Sequence, residues 1–415
     1  MHICVIGSGV IGVSTAYALA ENGHEITLLD SLPRPAGLTS EANGGQLSYS
    51  YVAPLAGPGV IANIPTWLLR KDSPLRFRPR LDSYQWRWLM AFLLACNQSR
   101  SRRTTAEMLT LSYLSRDTLH AWMTKTPLNF NLRRNGKLIV YRDSALLDKA
   151  ARLVEFQAQH GARQRVLSKQ EVLNLEPSLA SMAAAMAGAI YTEDEEAGDC
   201  QLFTQALYAK LQDRPGVRCL MNTQVHRLRH ENSRITAIHT TKGDIQADAY
   251  VVACGMGSRP LLETIVQRVP IYGLKGYSLS IPLSAEDHAS PEISITDYQR
   301  RIVYARLGQV LRIAAMVDIG YEDNTPDPSR IAGLKSLVGN TFPHLDLNKA
   351  GIWAGLRPAT PSGKPIIGVS PHASNLWLNI GHGALGFTLA CGSAALLTAL
   401  MESRSAPIDP TPFQF

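Results

Sequence analysis

The sequence predicts an α/β fold in which one domain, built from separate parts of the chain, carries a second, sheet-based α+β domain. The first observation is an apolar strand, Ile3–Ile6, that runs into a glycine turn and a helix continuing to Ala20. The second is the next strand, Glu25–Leu29, which completes a strand–helix–strand unit. The third is a late strand, Leu376–Asn379, which again ends at glycines and precedes an apolar helix. Both ends of the chain therefore contribute to one sheet.

The N-terminal turn has the spacing of a dinucleotide-binding fingerprint, Gly7-Ser-Gly9-Val-Ile-Gly12. Gly7 allows the strand to turn sharply, Gly9 lets backbone N–H groups approach a pyrophosphate, and Gly12 lets the helix pack closely on the sheet. The helix N-terminus adds a partial positive charge that favours phosphates. Asp30 ends the second strand, where a carboxylate accepts hydrogen bonds from ribose hydroxyls. The glycines, the strands and the acid together predict a dinucleotide site.

Length and composition indicate a folded protein with two domains. The chain has 415 residues, of which 45% are hydrophobic and 18% charged, and this excludes a largely disordered protein. Its six cysteines form no CxxC pair, so neither a metal site nor a disulfide framework is indicated. Reduced thiols in the cytoplasm are expected, and no signal peptide is expected, because Met1 and His2 lead straight into the first strand.

A basic segment, residues 65–103, carries much of the formal net charge of +7. Its cationic residues alternate with Trp and Leu, and its longest apolar run, Trp88–Cys96, is too short to span a bilayer. This composition suits a segment in a membrane interface, and it also suits a buried helix with a solvated basic face. Nucleic-acid binding is a third interpretation, but no stacking platform or recognition motif supports it.

Sequence patterns predict further loops, helices and strands between the two ends of the chain. Residues 39–60 are rich in Gly, Ser, Asn and Pro and predict an extended loop along a ligand. Residues 65–160 are largely helical, and Ser168-x-x-Glu171 is a capping box that begins a further helix. Further predicted elements are a helix at Asp199–Leu211 and strands at Gly136–Tyr141, Arg218–Leu220, Arg234–Thr240, Ala249–Ala253, Tyr277–Ile281 and Ile302–Val317. We assign residues 1–60, 190–260 and 350–415 to the nucleotide-binding domain, and 61–189 and 261–349 to the second domain.

Five further motifs occur in the order found in one family of flavoenzymes. They are Thr39-Ser-x-Ala-Asn-Gly-Gly-Gln46, Gly198-Asp-Cys-Gln-Leu-Phe-Thr204, Leu274-Lys-Gly-Tyr-Ser278, Gly355-Leu-Arg-Pro-x-Thr-Pro361 and Leu376-Trp-Leu-Asn-x-Gly-His-Gly383. With these motifs, essentially the whole chain resembles the bacterial FAD-dependent D-amino acid dehydrogenases of the small-subunit type, within the D-amino acid oxidase / glycine oxidase superfamily.

The resemblance implies a glutathione-reductase-like FAD-binding Rossmann domain, discontinuous in sequence, and oxidative deamination of D-amino acids to 2-oxo acids and ammonia. It implies hydride transfer from Cα to flavin N5 and electron delivery to a quinone of the respiratory chain, so peripheral contact with the cytoplasmic face of the inner membrane is expected. It also implies non-covalent FAD, because relatives with a covalently attached flavin carry a cysteine near residues 355–361 and this chain has none there.

The fingerprint and the resemblance together identify residues that contact the cofactor. Val225 matches the position whose backbone meets the adenine, and Asn43, Gly45 and Gln46 match the loop at the isoalloxazine ring. The N-terminus of the last helix is suited to stabilise the negative charge of a reduced flavin. The full set is Gly7, Gly9, Val10, Ile11, Gly12, Asp30, Ser31, Ser40, Asn43, Gly45, Gln46, Val225, Gly255, Gly381, Gly383, Ala384, Leu385, Gly386 and Thr388.

Arg357 is the predicted carboxylate clamp of the substrate site. A guanidinium meets a carboxylate with two parallel hydrogen bonds, and Pro358 restricts Arg357 to an extended backbone. The resemblance also implies a carboxylate-binding arginine in the loop of residues 355–361. The alternative is that Arg357 is a structural arginine that caps carbonyl groups. Some oxidases of the superfamily carry a second arginine after Gly381, and this chain has His382 to Leu385 there, so at most one of the usual carboxylate-binding arginines is expected.

Further side chains are candidates near the substrate. Strand alternation directs either Lys275 and Tyr277 or their neighbours towards the ligand. Tyr277 is either a donor to the substrate carboxylate or a core tyrosine, and Tyr51 is a candidate to line the substrate site. His382 either assists at the flavin or belongs to the turn. Paired carboxylates are not apparent, and hydride loss from a neutral amine needs no strong base.

Other functions stay open on the sequence alone. A dehydrogenase for a cyclic D-imino acid such as 4-hydroxy-D-proline would use the same clamp and flavin, and an amino-acid oxidase would differ in passing electrons to oxygen. A flavin-carrying electron-transfer subunit without catalysis is an alternative of another class. The arginine argues against it, because a scaffold needs no carboxylate clamp.

Overall fold

The computed structural model describes residues 1–61 and 73–415, so residues 65–72 of the basic segment lie outside the described residues. The described residues form nine α-helices: α1 (Val10–Glu21), α2 (Ser83–Ala95), α3 (Gln98–Lys125), α4 (Ser144–Ala158), α5 (Lys169–Leu175), α6 (Cys200–Gln212), α7 (Ser258–Glu263), α8 (Pro328–Gly339) and α9 (Gly386–Met401). They also form twenty strands: β1 (His2–Ile6), β2 (Glu25–Leu29), β3 (Gln46–Leu47), β4 (Leu75–Phe77), β5 (Lys137–Tyr141), β6 (Gln164–Ser168), β7 (Gly188–Thr192), β8 (Glu196–Ala197), β9 (Val217–Leu220), β10 (Val225–Glu231), β11 (Arg234–Thr240), β12 (Gly243–Ile245), β13 (Ala249–Val252), β14 (Tyr272–Pro282), β15 (Ser294–Asp297), β16 (Ile302–Leu307), β17 (Val310–Ile319), β18 (Gly351–Ala359), β19 (Ile366–Ser370) and β20 (Ala373–Ile380).

A six-stranded sheet combines strands from both ends and the middle of the chain, in the order β19-β20-β13-β1-β2-β9. β1 pairs in parallel with β2 and β13, and β20 pairs in parallel with β13. Helices α1, α6 and α9 pack on one face, and the three-stranded sheet β10–β12 with α7 packs on the other. Because both faces are covered, the central strands are continuous apolar runs rather than alternating ones. The predicted α/β fold is confirmed.

The second sheet has nine strands, in the order β18-β14-β17-β16-β15-β5-β7-β6, with β4 added to β17. Strand β18 pairs with β14 in this sheet, although residues 350–415 are assigned above to the nucleotide-binding domain. Strand β7 likewise crosses the boundary set at residue 190. The division into domains stays a proposal, and the sheets favour boundaries a few residues beyond those two points.

Helix α9 is the most apolar helix of the core. With the turn before it, residues 383–401 are long and apolar enough to cross a membrane by length and composition alone, at a mean hydropathy of 1.8. Some 72% of this segment is buried, however, where α9 packs between α1 and α3. At Gly392 a Cβ would lie 2.7 Å from the carbonyl oxygen of Leu111, so the close approach of α3 requires glycine here. Burial of this kind is typical of a core helix.

Several elements differ from their predictions for physical reasons. Residues 355–361, expected as a loop, mostly belong to β18, an edge strand, where a proline without its N–H is tolerated. The predicted strand Ile302–Val317 is two strands, β16 and β17, joined at Gly308, which has φ of 61°. Strand β10 was not predicted because most of its residues are polar and exposed. The capping box at Ser168 is confirmed.

Candidate active site

A cavity of about 1780 Å³ lies where the two large sheets meet. Its walls include the last residues of three parallel strands, Ile6, Leu29 and Ile380, so it opens at the carboxyl ends where α/β sheets bind ligands. A typical small-molecule site holds about 300–1,000 Å³, and the larger volume here accommodates a dinucleotide together with a substrate. Every predicted site residue lines the cavity except Gly12 and Lys275.

The glycine turn forms the cradle that a pyrophosphate requires. Gly7 has φ of 106°, and its N–H donates to the carbonyl of Leu29 over 2.8 Å. At Gly12 a Cβ would lie 1.8 Å from the carbonyl oxygen of Gly7, so α1 can approach the strand only without a side chain there. Helix α1 begins after Gly9 without a side-chain cap, and its first turn faces the cavity. The N–H groups that follow Val10 in this turn fit the phosphates of FAD.

Asp30 is fixed at the edge of this cradle. Its Oδ2 accepts hydrogen bonds from the N–H and the hydroxyl of Ser8 over 2.7 and 2.9 Å. Its Oδ1 accepts from the N–H of Leu32 over 2.9 Å. A carboxylate oxygen has two lone pairs, and Oδ1 of Asp30 uses one of them for Leu32. The carboxylate can therefore accept a further hydrogen bond from a ribose hydroxyl in the cavity. Ser31 and Val225 line the same end.

The loop after β2 runs from the start of α1 to the opposite end of the cavity, where it meets the start of α9. Ser40 Oγ accepts from the N–H of Val10 over 3.0 Å, and Asn43 Oδ1 accepts from Gly45 over 3.0 Å. The amide of Gln46 donates to two carbonyl groups of the nine-stranded sheet, so that side chain anchors the loop. Helix α9 begins at Gly386 without a side-chain cap and faces the cavity, which places the positive end of its dipole there.

A buried ionic group holds residues 48–51 against the cavity. Lys137 Nζ donates to Ser48 Oγ over 2.6 Å and lies 4.4 Å from the ring centroid of Tyr51. Glu195 accepts from the N–H of Ser50 over 2.6 Å. Burial lowers the pKa of Lys137 to about 8 against the opposing charge of Glu195. This network positions Tyr51, a predicted substrate residue, in the cavity wall.

Arg357 crosses from β18 to the carbonyl groups of β17. Its guanidinium lies over Gly276, where a Cβ would be 2.3 Å from Nη2, and its Nη1 donates to the carbonyl of Met316 over 3.1 Å. Burial lowers the pKa of Arg357 to about 10, and the charge of Asp318 opposes the shift, so the group stays protonated at neutral pH. No carboxylate of the described residues lies within 4 Å of it. Its remaining donors are therefore available to a ligand carboxylate.

Asp318 organises the side of the site beneath Arg357. It is fully buried and forms ion pairs with Arg76 and Arg330, each over 2.7 Å. The hydroxyl of Tyr277 donates to Asp318 Oδ2 over 2.7 Å, and burial together with this bond raises the pKa of Tyr277. Tyr277 thus presents its ring to the cavity and commits its O–H donor to Asp318. This arrangement does not support the expectation that Tyr277 donates to a substrate carboxylate.

Two other candidates have different surroundings from those expected. Lys275 does not line the cavity, and its Nζ donates to Asp323 over 2.8 Å. His382 lines the cavity but is buried, and burial lowers its pKa to about 3. Its Nε2 lies 3.0 Å from Ser393 Oγ. At neutral pH His382 is therefore an uncharged member of the turn, with no positive charge to offer a reduced flavin.

Four residues in or beside the cavity wall were not predicted from the sequence: Lys137, Arg301, Met316 and Asp318. Met316 and Arg301 line the cavity with φ of 65° and 55°, values that residues other than glycine rarely adopt. No local motif marks them. For Asp318 and Lys137, the available signal was a charged residue within or at the end of an apolar strand. Among the described ranges 1–61 and 73–415, no cluster of His, Cys, Asp and Glu could hold a metal ion.

Comparison with known protein families agrees with this geometry. Residues 2–400 match the family described as DAO, FAD dependent oxidoreductase. The chain belongs to this family and is an FAD-dependent oxidoreductase.

Individual relatives cover the whole chain. It is 47% identical over 423 residues to a protein named D-amino acid dehydrogenase 2 from Ralstonia nicotianae, covering 100% of this chain and 99% of the relative. It is also 47% identical to D-amino acid dehydrogenase 2 of Pseudomonas aeruginosa, covering 99% and 97%. Among solved structures, glycine oxidase from Geobacillus kaustophilus matches with a TM-score of 0.76 at 21% identity, covering 99% and 97%. L-proline dehydrogenase from P. horikoshii matches with a TM-score of 0.74 at 17% identity, covering 98% and 95%. These two structures support the fold alone.

Proposed function

We propose that this chain is a D-amino acid dehydrogenase that uses non-covalent FAD to convert a D-amino acid to the 2-oxo acid and ammonia. The observation that carries the proposal is the buried guanidinium of Arg357, which has no carboxylate partner among the described residues and faces the cavity that holds the dinucleotide turn. The relatives named D-amino acid dehydrogenase at 47% identity support the same substrate class.

The roles of the chain's own residues follow from their surroundings. Bound FAD would supply the two-electron acceptor that takes a hydride from Cα at N5. Arg357 binds the α-carboxylate and fixes its rotation, because its planar fork matches both oxygens. Tyr277 and Met316 line the cavity wall beside it. Burial lowers the pKa of His382 to about 3, so His382 is a weak base and does not take a proton from the substrate amine.

Anaerobic reduction of the flavin tests this proposal. We expect D-alanine to bleach the yellow absorbance of the purified protein, whereas L-alanine and D-alaninamide, which lacks the carboxylate, leave it unchanged. Bleaching by 4-hydroxy-D-proline but not by D-alanine would favour the cyclic imino acid alternative, and peroxide formation in air would favour an oxidase. A protein that no D-amino or D-imino acid bleaches would instead be a non-catalytic flavin carrier.

We further propose that the electrons leave to a membrane quinone through the surface formed by α2. Trp86, Met90 and Leu94 recur every four residues along α2 and are 47%, 59% and 63% exposed. Arg87 and Arg100 are exposed close by in sequence, and the apolar cavity reaches Trp86 and Met90. Apolar side chains flanked by basic ones suit the surface of an anionic bilayer.

Vesicle sedimentation tests this surface. We expect binding to vesicles that contain an anionic lipid, weaker binding at high salt, and loss of at least half of the bound fraction when Met90 and Leu94 are both replaced by Ser. Replacement of Val166 and Leu202, which are exposed elsewhere, is the matched control and leaves binding unchanged. Equal binding to neutral and anionic vesicles, or none to either, contradicts the proposal.

A further inference from the structure

We propose that Arg301 binds a carboxylate on the side chain of the substrate, and that the enzyme therefore prefers acidic D-amino acids such as D-glutamate. This inference rests on the proposed function, because it concerns the substrate of the same site.

Arg301 lies beside the point at which Arg357 is anchored. Strands β16 and β17 are antiparallel with Ile302 opposite Ala315, so the residue before Ile302 lies next to Met316. The carbonyl of Met316 is the group that accepts the hydrogen bond from Arg357. Neighbouring strands are about 4.8 Å apart. Both arginines therefore line the cavity close to Met316, Arg357 from β18 and Arg301 from the turn that precedes β16.

The backbone at this point is strained in two adjoining residues. Arg301 has φ of 55° and Met316 has φ of 65°, and both residues line the cavity. Left-handed conformations of residues with side chains are uncommon, and they persist where the surrounding structure requires them, often at ligand sites. Arg301 ends the turn between β15 and β16, and Met316 lies at the bulge where β17 shifts register against β14, so both left-handed residues lie at irregular points of the sheet that face the cavity.

Aromatic rings, not carboxylates, hold the guanidinium of Arg301. Its Cζ lies 4.5 Å from the ring centroid of Tyr298, which in turn stacks on Tyr141 at 4.7 Å. Burial raises the pKa of the Tyr51 phenol, and both the nearby charge of Arg301 and a hydrogen bond with its guanidinium oppose that rise. Within residues 1–61 and 73–415, no carboxylate forms an ion pair with Arg301. An aromatic face holds a cation without neutralising it, and one donor of Arg301 is directed to the Tyr51 hydroxyl, so the remaining N–H donors of the guanidinium are available to an anion.

The charges around the cavity favour an acidic substrate over a basic one. Among the described residues that line it, the one acid is Asp30, which lies at the nucleotide end. The basic lining residues are Arg102, Lys137, Lys149, Arg152, Arg301 and Arg357. A lysine or arginine side chain on the substrate would meet like charge beyond Arg357, whereas a carboxylate would meet Arg301.

Replacement of Arg301 by Asn tests the inference, because Asn tolerates a left-handed backbone better than other side chains. D-Glutamate is compared with D-glutamine, which has nearly the same shape without the charge. We expect R301N to lower kcat/KM for D-glutamate roughly ten- to hundredfold, the loss typical of a charge-assisted hydrogen bond, and to change D-glutamine and D-alanine less than about threefold. R301K should recover part of the loss. The matched control is R165N, since Arg165 also covers a tyrosine, Tyr191, but lies outside the cavity wall.

Ligand binding to the oxidised wild-type enzyme gives a second test that needs no variant. We expect glutarate to perturb the flavin spectrum at a concentration roughly tenfold lower than its monoamide, glutaramate. Equal binding of the two, equal losses of all three substrates in R301N, or poorer turnover of D-glutamate than of D-glutamine in the wild type would each overturn the inference. In those cases bleaching by D-alanine still supports the proposed function, whereas a flavin that no D-amino acid reduces removes both.

Discussion

Replacing Gly12 with Ala is expected to yield a colourless protein that takes up little FAD. The new Cβ would lie 1.8 Å from the carbonyl oxygen and 2.8 Å from the carbonyl carbon of Gly7, both backbone atoms that cannot rotate away. Helix α1 must then move outward or the Gly7 turn must change shape. Either response displaces the N–H groups of the first turn that would hold the phosphates. We expect the affinity for FAD to fall at least a hundredfold, with a destabilisation of about 1–3 kcal/mol from overpacking.

Two measurements separate cofactor loss from simple unfolding. Added FAD should raise the Tm of the wild-type apoprotein, because a ligand that binds only the folded state stabilises it, and should leave the Tm of G12A unchanged. The matched control is G333A, since Gly333 lies inside α8, where a Cβ would meet no atom within 4 Å, and alanine is the better helix former. Normal flavin content in G12A would show that this turn does not hold the cofactor.

The nucleotide end of the site could be predicted because its geometry is local. Gly7, Gly9 and Asp30 lie within one strand–helix–strand unit, so their spacing in sequence nearly determines their spacing in space. Arg357 could be identified from its motif. The sequence could not predict that it lies on a strand, that it donates to Met316 or that it crosses Gly276, because these features depend on sheet register. Register joins residues about forty positions apart between β14 and β17 and about eighty positions apart between β14 and β18, and no local pattern encodes it.

The substrate end was predicted less completely for the same reason. Alternation left open which of the two faces of β14 meets the ligand, and it could not show the shift in register between Lys275 and Tyr277. Tyr277 and Leu274 line the cavity, whereas Lys275 lies outside it and its ammonium is covered by Asp323. Asp318 forms an ion pair with Arg76, which is 242 positions away in sequence. The three partners of Asp318, which are Arg76, Arg330 and Tyr277, therefore could not be inferred from the residues next to it in sequence. The left-handed backbone of Arg301 had no signal either, because glycine or asparagine normally marks such a turn.

Replacing Arg357 with Lys is expected to raise the KM for D-alanine roughly ten- to hundredfold while kcat changes less than about threefold. A lysine keeps one charge but loses the planar pair of donors, so the carboxylate is held at one point and its rotation is no longer fixed. Discrimination between D-alanine and D-alaninamide, which depends on the carboxylate, should fall by a similar factor. The matched control, R165K, alters an arginine outside the cavity and should leave all these constants unchanged.

The pH dependence of this variant provides a sharper criterion than its KM at one pH. Burial lowers the pKa of Arg357 to about 10, which still leaves the wild-type guanidinium charged at neutral pH. The same desolvation acts on a lysine whose ordinary pKa is already about two units lower than that of arginine. The lysine would therefore lose its proton as the pH rises above neutrality. We expect the KM ratio of R357K to wild type to increase with pH over that range, because the substrate carboxylate then loses its partner charge. An unchanged kcat/KM, or a KM ratio independent of pH, would mean that Arg357 caps carbonyl groups and that another residue binds the carboxylate.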